Sequence, residues 1–370
     1  MSDGPTEPNR AELARAELSA GRWPWAFPTL LAPMEGVTHP GYRDLVAAYG
    51  GVGVVCTEFV RITRASVNRR KIEHEVVRSA HAALSVQVMG DDEANMALAT
   101  EWVVERGTDI VDINLGCPAP NAVRKGVGAA MLERPEVLTR VVAAMRERTR
   151  GPLSAKMRAG VDASDRAVLT ARLLEAAGVD FITVHPRRSV DRYRGSADHR
   201  IIKAIKESVR VPVVGNGDLW YATQALALMQ ESGCDAVMLG RPALRNPFIF
   251  TQIAALRAGA PVPRPDGLRL LAHVHAYLEA TRAPEGALLG LLKEQLRYLL
   301  AALADGEALT RELVRQPDLQ SVLTRLESRL GSAPASDLDL GPEPPAHSER
   351  REDSLLLAPA PAATALRAGV

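Results

Sequence analysis

Cys117 is the residue whose type and position most directly indicate chemistry in this chain. It follows the apolar, β-branched run Ile110–Leu115 within the segment Asp112–Met131, DINLGCPAPNAVRKGVGAAM. Such a run is typical of a buried parallel strand, and Gly116-Cys117-Pro118 predicts a sharp turn at its end. A single cysteine in this position is either an inert packing residue or part of a site at the end of the strand. The rest of the chain favours a site.

Polar residues, glycine or proline also lie at the C-terminal ends of the other strand-like runs. In chain order these features are Pro33-Met34-Glu35, Glu58, Gln87, Lys156 with Arg158, His185 with Arg187, Asn216-Gly217-Asp218 and Gly240-Arg241. Any one of them alone is most often a satisfied polar group. Together with the segment from Asn114 to Cys117 they occur at eight strand ends, which favours one shared site.

The elements that must position these residues alternate regularly. Strand-like runs are Thr29–Met34, Val54–Phe59, Leu84–Met89, Ile110–Leu115, Leu153–Met157, Phe181–His185, Val211–Val214 and Ala236–Leu239. Helical spacing lies between them, as at Asp92–Glu105, Glu136–Arg148, Ser164–Ala177 and Tyr221–Ser232. This order predicts an α/β fold, a (β/α)8 TIM barrel, whose chemistry lies at the C-terminal ends of the strands.

The flanking regions differ in pattern from the barrel. Residues 1–27 are predicted to be a polar extension with a short helix near Ala11–Ala20, and residues 28–255 to be the barrel. Residues 266–331 carry only helical patterns, at Leu268–Thr281, Ala287–Ala304 and Thr310–Leu330, and predict a small helical domain. Residues 332–370, rich in Pro and Ala, predict a disordered tail.

Composition limits the class of protein. The chain has 370 residues, 46% hydrophobic and 24% charged residues, and a net charge of +1. No apolar run approaches the roughly 20 residues that a membrane span needs. The first ten residues lack the order of a signal peptide, and the three cysteines are too widely spaced for a disulfide framework or a metal site. A cytoplasmic monomer without a metal or membrane partner is expected.

The last two strand ends predict a phosphate site. In TIM barrels the loops after strands seven and eight commonly bind phosphate, and here they carry Gly217 and Gly240 with Arg241. Lys156 would place a positive charge beside a flat ring that can become negative, as a reduced flavin does. A flavin with a phosphate group fits both features, and the phosphate part is common to many phosphate-binding barrels.

The successive motifs resemble those of the tRNA-dihydrouridine synthases. They are LAPMEGVTHPGYRDL, TEFV, VQVMGDD, DINLGCPAP, KGVGAAML, AKMRAG, TVHPRRSVDRYRGSADH, VPVVGNGDLW and GCDAVMLGRPALRNPFIF, in the family's order from about Thr29 to Phe250. The likeness continues weakly at LLKEQLRYLL. The resemblance implies an FMN enzyme that uses NADPH to reduce the C5–C6 double bond of uridines in tRNA.

The resemblance also implies residue roles. Cys117 would be the proton donor to C5, and Asn114 would hold the edge of the uracil. The cofactor-binding positions would be Pro33, Met34, Glu35, Gln87, Lys156, His185, Asn216, Gly217, Asp218, Gly240 and Arg241. The expected substrate-binding residues are Asn114, Arg158, Arg187, Arg61, Lys125, Lys293 and Arg297.

Two features concern the RNA side. Basic residues near the strand ends suit phosphate contacts; they are Arg61, Arg64, Arg69, Arg70, Lys71, Arg124, Lys125, Arg188, Arg192 and Arg194. The chain departs from the family at Pro120, where lysine is common, and at HPRRS, where HGRTR is usual. These departures leave open which uridine is modified.

Two other functions fit parts of the pattern. One is an FMN-dependent reductase of a free pyrimidine, similar to dihydroorotate dehydrogenase, which would not need the helical domain or the basic loops. The other is an RNA-binding barrel without turnover, which the presence of Cys117, Lys156 and Arg241 argues against.

Overall fold

The computed structural model describes residues 9–344, and its strands form one parallel sheet. The strands are β1 Thr29–Leu31, β2 Val54–Cys56, β3 Val60–Arg61, β4 Ala83–Met89, β5 Ile110–Leu115, β6 Leu153–Gly160, β7 Phe181–Arg188, β8 Val213–Asn216 and β9 Ala236–Leu239. The first nine helices are α1 Arg10–Ser19, α2 Pro40–Ala48, α3 Arg69–Glu75, α4 Glu93–Glu105, α5 Pro120–Arg124, α6 Pro135–Arg146, α7 Ala167–Ala176, α8 Arg200–Lys206 and α9 Ala222–Ser232. The later helices are α10 Arg241–Arg245, α11 Ile249–Arg257, α12 Gly267–Thr281, α13 Glu285–Leu299, α14 Gly306–Leu313 and α15 Leu319–Leu330.

The sheet closes into a barrel. The pairing order is β2-β1-β9-β8-β7-β6-β5-β4-β3, and an additional pairing of β2 with β4 completes the ring. Eight strands therefore form the barrel, and β3 is a two-residue addition paired with β4. The predicted (β/α)8 fold is confirmed.

The predicted strand Val54–Phe59 is wrong as a single strand. Cys56 pairs with Ser85 and Val60 pairs with Val88, so this chain advances four residues while β4 advances three. The extra residue breaks the ladder between β2 and β3, as a bulge does. Sequence patterns do not reveal this break because the residues on both sides of it are apolar.

The N-terminal extension closes the inside of the barrel. Leu18 of α1 is buried in the same apolar cluster as inward-facing residues of the strands. Trp23 and Trp25 pack edge to face on Phe181, with ring centroids 5.7 and 5.9 Å away. The extension thus contributes Leu18, Trp23 and Trp25 to the barrel core, while much of its remaining surface is exposed. Residues 1–8 lie outside the described range.

The chain divides into two compact units that differ from the predicted linear domains. Within the described residues, one unit holds residues 9–33 together with Val52–Asp218 and Ala227–Leu239, and it contains β1 to β9. The other holds Met34–Gly51, Leu219–Leu226 and residues 240–344. Segments that interrupt the barrel sequence therefore cluster with the C-terminal helices.

The helical unit is packed through backbone contacts. At Gly41 a Cβ atom would lie only 1.9 Å from the Ala280 carbonyl oxygen, so α2 and α12 cross at a distance that only glycine permits.

The predicted helix Thr310–Leu330 is two helices, α14 and α15. Asp318 caps the start of α15, because its side chain accepts a hydrogen bond from the Ser321 N–H. Pro317 lies between them.

The predicted tail needs a corrected boundary. Leu338 and Leu340 are 5% and 1% exposed, and Leu338 forms a β-bridge with Leu303. The Gln252 side chain donates to the Leu340 carbonyl at 2.7 Å. Residues 332–344 are therefore folded, because their apolar side chains are buried on the helical unit. The rest of the predicted tail, residues 345–370, lies outside the described residues.

Within residues 9–344, no helix is long and apolar enough to cross a membrane. In the same range no group of three or more His, Cys, Asp and Glu side chains is arranged to hold a metal ion.

Candidate active site

The turn after β5 fixes the backbone of Cys117. The Asn114 side-chain oxygen accepts from the N–H groups of Gly116 and Cys117, at 3.0 and 2.9 Å. A short polar side chain that binds the backbone two and three residues ahead is a common way to form such a turn. Cys117 is partly exposed there, so the strand end presents it as the sequence predicted.

The chain returns against Cys117 at Gly128. The Ala129 N–H donates to the Cys117 carbonyl at 3.2 Å. Gly128 has φ +64°, and a Cβ atom on it would lie 2.9 Å from the Cys117 oxygen and 3.0 Å from the Cys117 Cβ. Both the backbone conformation and the space require glycine at this position.

A buried polar network lies behind Asn114. The Gln87 amide nitrogen donates to Asp112 and its oxygen accepts from Asn114, each at 2.6 Å. The Ser154 hydroxyl donates to the other Asp112 oxygen at 2.6 Å. Gln87, predicted to bind cofactor, is fully buried and is committed to this network.

Asp112 is a site residue that the sequence reasoning did not assign. Burial raises its pKa to about 6, although the hydrogen bonds from Gln87 and Ser154 act in the opposite direction. Its position two residues before Asn114 on β5 was the available signal, because residues i and i+2 of a strand face the same side. The strand register, which places it beside Gln87, cannot be seen in the sequence.

Lys156 places a positive charge in the barrel next to this network. It lies opposite Asn114 in the register of β5 and β6. Its pKa falls to about 8, first because of burial and then because of the positive charge of Arg158, while Asp112 and Cys117 act to raise it. At neutral pH Lys156 therefore remains mostly protonated.

The two arginines predicted on the substrate side have buried side chains. Arg158 is 2% exposed and donates to three backbone carbonyls, so the structure gives it a part in holding the turn after β5. Arg187 is 4% exposed and donates to both carboxylate oxygens of Asp218, at 2.8 and 2.7 Å. Asp218, predicted to bind cofactor, uses its carboxylate for this ion pair.

The loop after β8 is shaped by its glycine. Gly217 has φ +115°, and a Cβ atom would lie 3.0 Å from both the His185 ring and the Ala197 side chain. His185 is 7% exposed, and its Nε2 lies 3.4 Å from an Arg187 nitrogen. The Asn216 side chain donates to the Met238 carbonyl at 2.7 Å. Two of the residues predicted at the cofactor, His185 and Gly217, are thus packed against each other, and Gly217 itself is buried.

Four residues predicted at the cofactor fall in the helical unit. Met34 and Glu35 follow Pro33 directly in sequence, and Gly240 and Arg241 follow β9. The Met34 N–H donates to the Thr38 hydroxyl at 3.0 Å, and Arg241 stacks over the Trp220 ring at 5.5 Å. Their contact with a cofactor stays a prediction.

The predicted RNA-binding residues vary in how far they are engaged. Arg61 stacks on Phe59 at 5.9 Å, and Lys125 is exposed. In the helical unit Lys293 donates to the Gln316 carbonyl at 2.7 Å, and Arg297 lies 3.5 Å from Glu294. Lys293 therefore fastens the turn after α14 in addition to any surface role.

The barrel unit thus combines a positioned thiol, a protonated lysine and a buried polar network at its strand ends.

Comparison with known proteins shows the family of the chain. A profile of the dihydrouridine synthase (Dus) family matches residues 30–284. A probable tRNA-dihydrouridine synthase of Rhodobacter capsulatus is 35% identical over 315 residues, which cover 84% of this chain and 96% of that protein.

Two further relatives agree. A probable tRNA-dihydrouridine synthase of Mycobacterium tuberculosis is 33% identical over 335 residues, 85% of each chain. The tRNA-dihydrouridine synthase B of Pseudomonas aeruginosa is 35% identical over 266 residues, 69% of this chain and 80% of the relative. Among solved structures, morphinone reductase in complex with tetrahydroNAD aligns with 14% identity and a TM-score of 0.44, over 65% of this chain and 89% of that one.

Proposed function

The chain belongs to the dihydrouridine synthase family, and from that premise we propose that it reduces the C5–C6 double bond of uridines in tRNA, with FMN as cofactor, NADPH as reductant and Cys117 as proton donor. The observation that carries this proposal is the position of Cys117. Asn114 and Gly128 fix its backbone at the end of β5, and its side chain is partly exposed there.

The donor set beside Cys117 fits a flavin. Lys156 is a half-buried cation whose pKa of about 8 keeps it charged at neutral pH, so it suits a ring that gains negative charge on reduction. The loop after β8 would bind the flavin phosphate through backbone N–H groups, as the loops after the last two strands commonly do in TIM barrels. When bound, the flavin supplies the hydride that adds to C6 of the uracil ring.

The chain's own residues supply the proton. Hydride addition at C6 leaves negative charge that a proton at C5 must neutralise, and a cysteine thiol, with an ordinary pKa of about 8.5, is mostly protonated at neutral pH. Cys117 would donate this proton. Asn114 would contribute by holding the turn, because its side-chain oxygen is already bonded to the Gly116 and Cys117 N–H groups.

The RNA side of the proposal rests on exposed basic residues. A uridine must leave its stack to reach a buried site, which base-modifying enzymes generally require. Lys125 and Arg194 are exposed on the loops that follow β5 and β7. We infer that such residues bind RNA phosphates, and that the affinity for tRNA therefore falls steeply with salt.

The test is single-turnover oxidation of the flavin-loaded, prereduced protein by unmodified tRNA transcript. In wild type, tRNA should oxidise the reduced flavin, and dihydrouridine should form in the tRNA. In Cys117→Ala the flavin should be oxidised about 10²–10⁴-fold more slowly, which is the usual contribution of a positioned acid. Flavin content and reduction by NADPH should not change. Cys234→Ala is the matched control, since this cysteine is buried among packing residues; Cys56 lies near Lys156 and is a poorer control.

Two results would contradict the proposal. Equal activity on free uridine, with no dependence on salt, would favour the small-pyrimidine reductase. Oxidation of Cys117→Ala at the wild-type rate would mean that the proton comes from another group.

A further inference from the structure

The loop that follows β7 is a largely exposed, basic segment with an aromatic residue between two arginines. It begins at Arg188, the last residue of β7, and comprises residues 188–195, RSVDRYRG. Tyr193 is 43% exposed and Val190 53% exposed. Arginines and an exposed aromatic ring are the side chains that bind single-stranded RNA, through phosphates and base stacking.

Arg158 connects this loop to the turn that carries Cys117. Its Nε donates to the Gly116 carbonyl at 3.0 Å. Its Nη1 donates to two carbonyls of the loop, those of Arg188 at 2.9 Å and Arg192 at 2.8 Å. Its guanidinium also lies 5.6 Å from the centre of the Tyr193 ring. One buried side chain therefore contacts both segments through four interactions.

These contacts require arginine rather than any cation. The guanidinium is planar and directs its N–H groups in a fixed fork, whereas an ammonium is a compact charge on a flexible stem. The Arg192 backbone, whose carbonyl accepts from Arg158, has φ +52°, a conformation that a residue with a side chain seldom adopts without support. The contact to Arg158 supplies such support.

We propose that Arg158 is a positioning residue for the reaction: it holds the 188–195 loop and the Gly116–Cys117 turn as one unit, so that RNA seated on the loop sets the position of the thiol. The proposal rests on the proposed function. It assigns Arg158 no contact with RNA, because the side chain is 2% exposed and directed to carbonyls. Its effect must then appear in the rate of the chemical step and in the environment of Cys117, rather than in tRNA affinity.

The experiment compares wild type with Arg158→Lys, which keeps the charge and removes the fork. Each protein is loaded with flavin, and three quantities are measured: tRNA affinity, single-turnover oxidation at saturating tRNA, and the rate at which iodoacetamide alkylates Cys117. The other two cysteines are buried, so alkylation of the native protein reports on Cys117. We expect oxidation to slow by about 10²-fold, the cost of a misplacement near 1 Å, with affinity changed by less than about threefold. The alkylation rate should change by severalfold.

A second variant covers the case in which Arg158→Lys does not fold. Tyr193→Ala removes an exposed ring from the guanidinium and leaves the carbonyl contacts in place. It should slow oxidation at saturating tRNA and alter alkylation in the same direction, by a smaller factor. Val190→Ala, on the same loop and comparably exposed, is the matched control and should match wild type in alkylation.

Three outcomes would overturn the inference. A loss of tRNA affinity of tenfold or more with a normal saturated rate would make Arg158 a substrate contact. Wild-type values for all three quantities in both variants would show that the connection has no effect. An altered rate with unaltered alkylation would place the effect somewhere other than Cys117. Because alkylation needs no tRNA, it tests the connection even if wild type fails to reduce tRNA, an outcome that would refute the proposed function instead.

Discussion

Replacing Gly128 by alanine would place a methyl group against the backbone of Cys117. The Cβ atom would lie 2.9 Å from the Cys117 carbonyl oxygen, 3.0 Å from the Cys117 Cβ and 3.3 Å from the Met89 sulfur. Carbon atoms pack best at about 3.5–4.0 Å, so relief of the contact needs a shift of about half an ångström. Met89 is fully buried, so the displacement should fall on the Cys117 turn.

Two costs add in this variant. Alanine at φ +64° costs roughly 1 kcal/mol relative to glycine, because the left-handed region is strained for a residue with a side chain. The contact adds about 1–2 kcal/mol, as overpacking of a buried site usually does. We therefore expect the free energy of unfolding to fall by about 2–3 kcal/mol and single-turnover oxidation by tRNA to slow by about 10–10²-fold.

Gly233→Ala is the matched control. Gly233 has φ +69°, close to that of Gly128, but no atom lies within 4 Å of where its Cβ would be. In Gly233→Ala the free energy of unfolding should fall by only the backbone strain, roughly 1 kcal/mol, and the single-turnover oxidation rate should equal that of wild type. Denaturant unfolding and stopped-flow oxidation measure the two quantities. If both variants lose the same stability and keep the same rate, the contact between Gly128 and Cys117 does not position the thiol.

Two further predictions concern Lys156 and Asp112. Lys156→Met should lose or loosen FMN, measured as flavin content after purification, and a full flavin complement with normal reduction would contradict the role of Lys156. Folding raises the pKa of Asp112 from its ordinary 3.8 to about 6, so the folded state holds the proton more tightly and stability falls as pH rises from about 4 to 6. The fall attributable to this group is at most roughly 3 kcal/mol, and Asp112→Asn should remove it. Urea unfolding of wild type and Asp112→Asn at several pH values between 4 and 6 measures this fall. If the free energy of unfolding depends on pH in the same way in both proteins, the pKa of Asp112 is not raised.

The barrel was predictable because its signals are local. Alternating apolar runs and helical spacing located the eight strands of the ring, and the strand ends led to Cys117, Lys156 and Gly217. The break between β2 and β3 was missed because it depends on register with β4, which no local pattern records. The folded state of residues 332–344 was missed for a similar reason, since Leu338 and Leu340 are stabilised by distant parts of the chain.

The roles of the arginines were the least predictable part of the site. Arg158 and Arg187 follow strands near the expected substrate, and sequence favours assigning such residues to an anionic ligand. The structure directs Arg158 to carbonyls and Arg187 to Asp218. Whether an arginine meets a ligand or its own backbone depends on where a loop returns, which is a property of the folded loop.

The hydrogen bonds around Cys117 hold its backbone and the neighbouring residues. Asn114 binds its N–H, Ala129 binds its carbonyl, and Arg158 binds the preceding carbonyl of Gly116. A proton donor has to keep its position while its side chain changes protonation state, and restraints on the backbone permit this. Changes to the surrounding residues should therefore alter the position of the thiol and the rate, whereas a change of Cys117 itself should remove the acid and leave the surrounding structure intact.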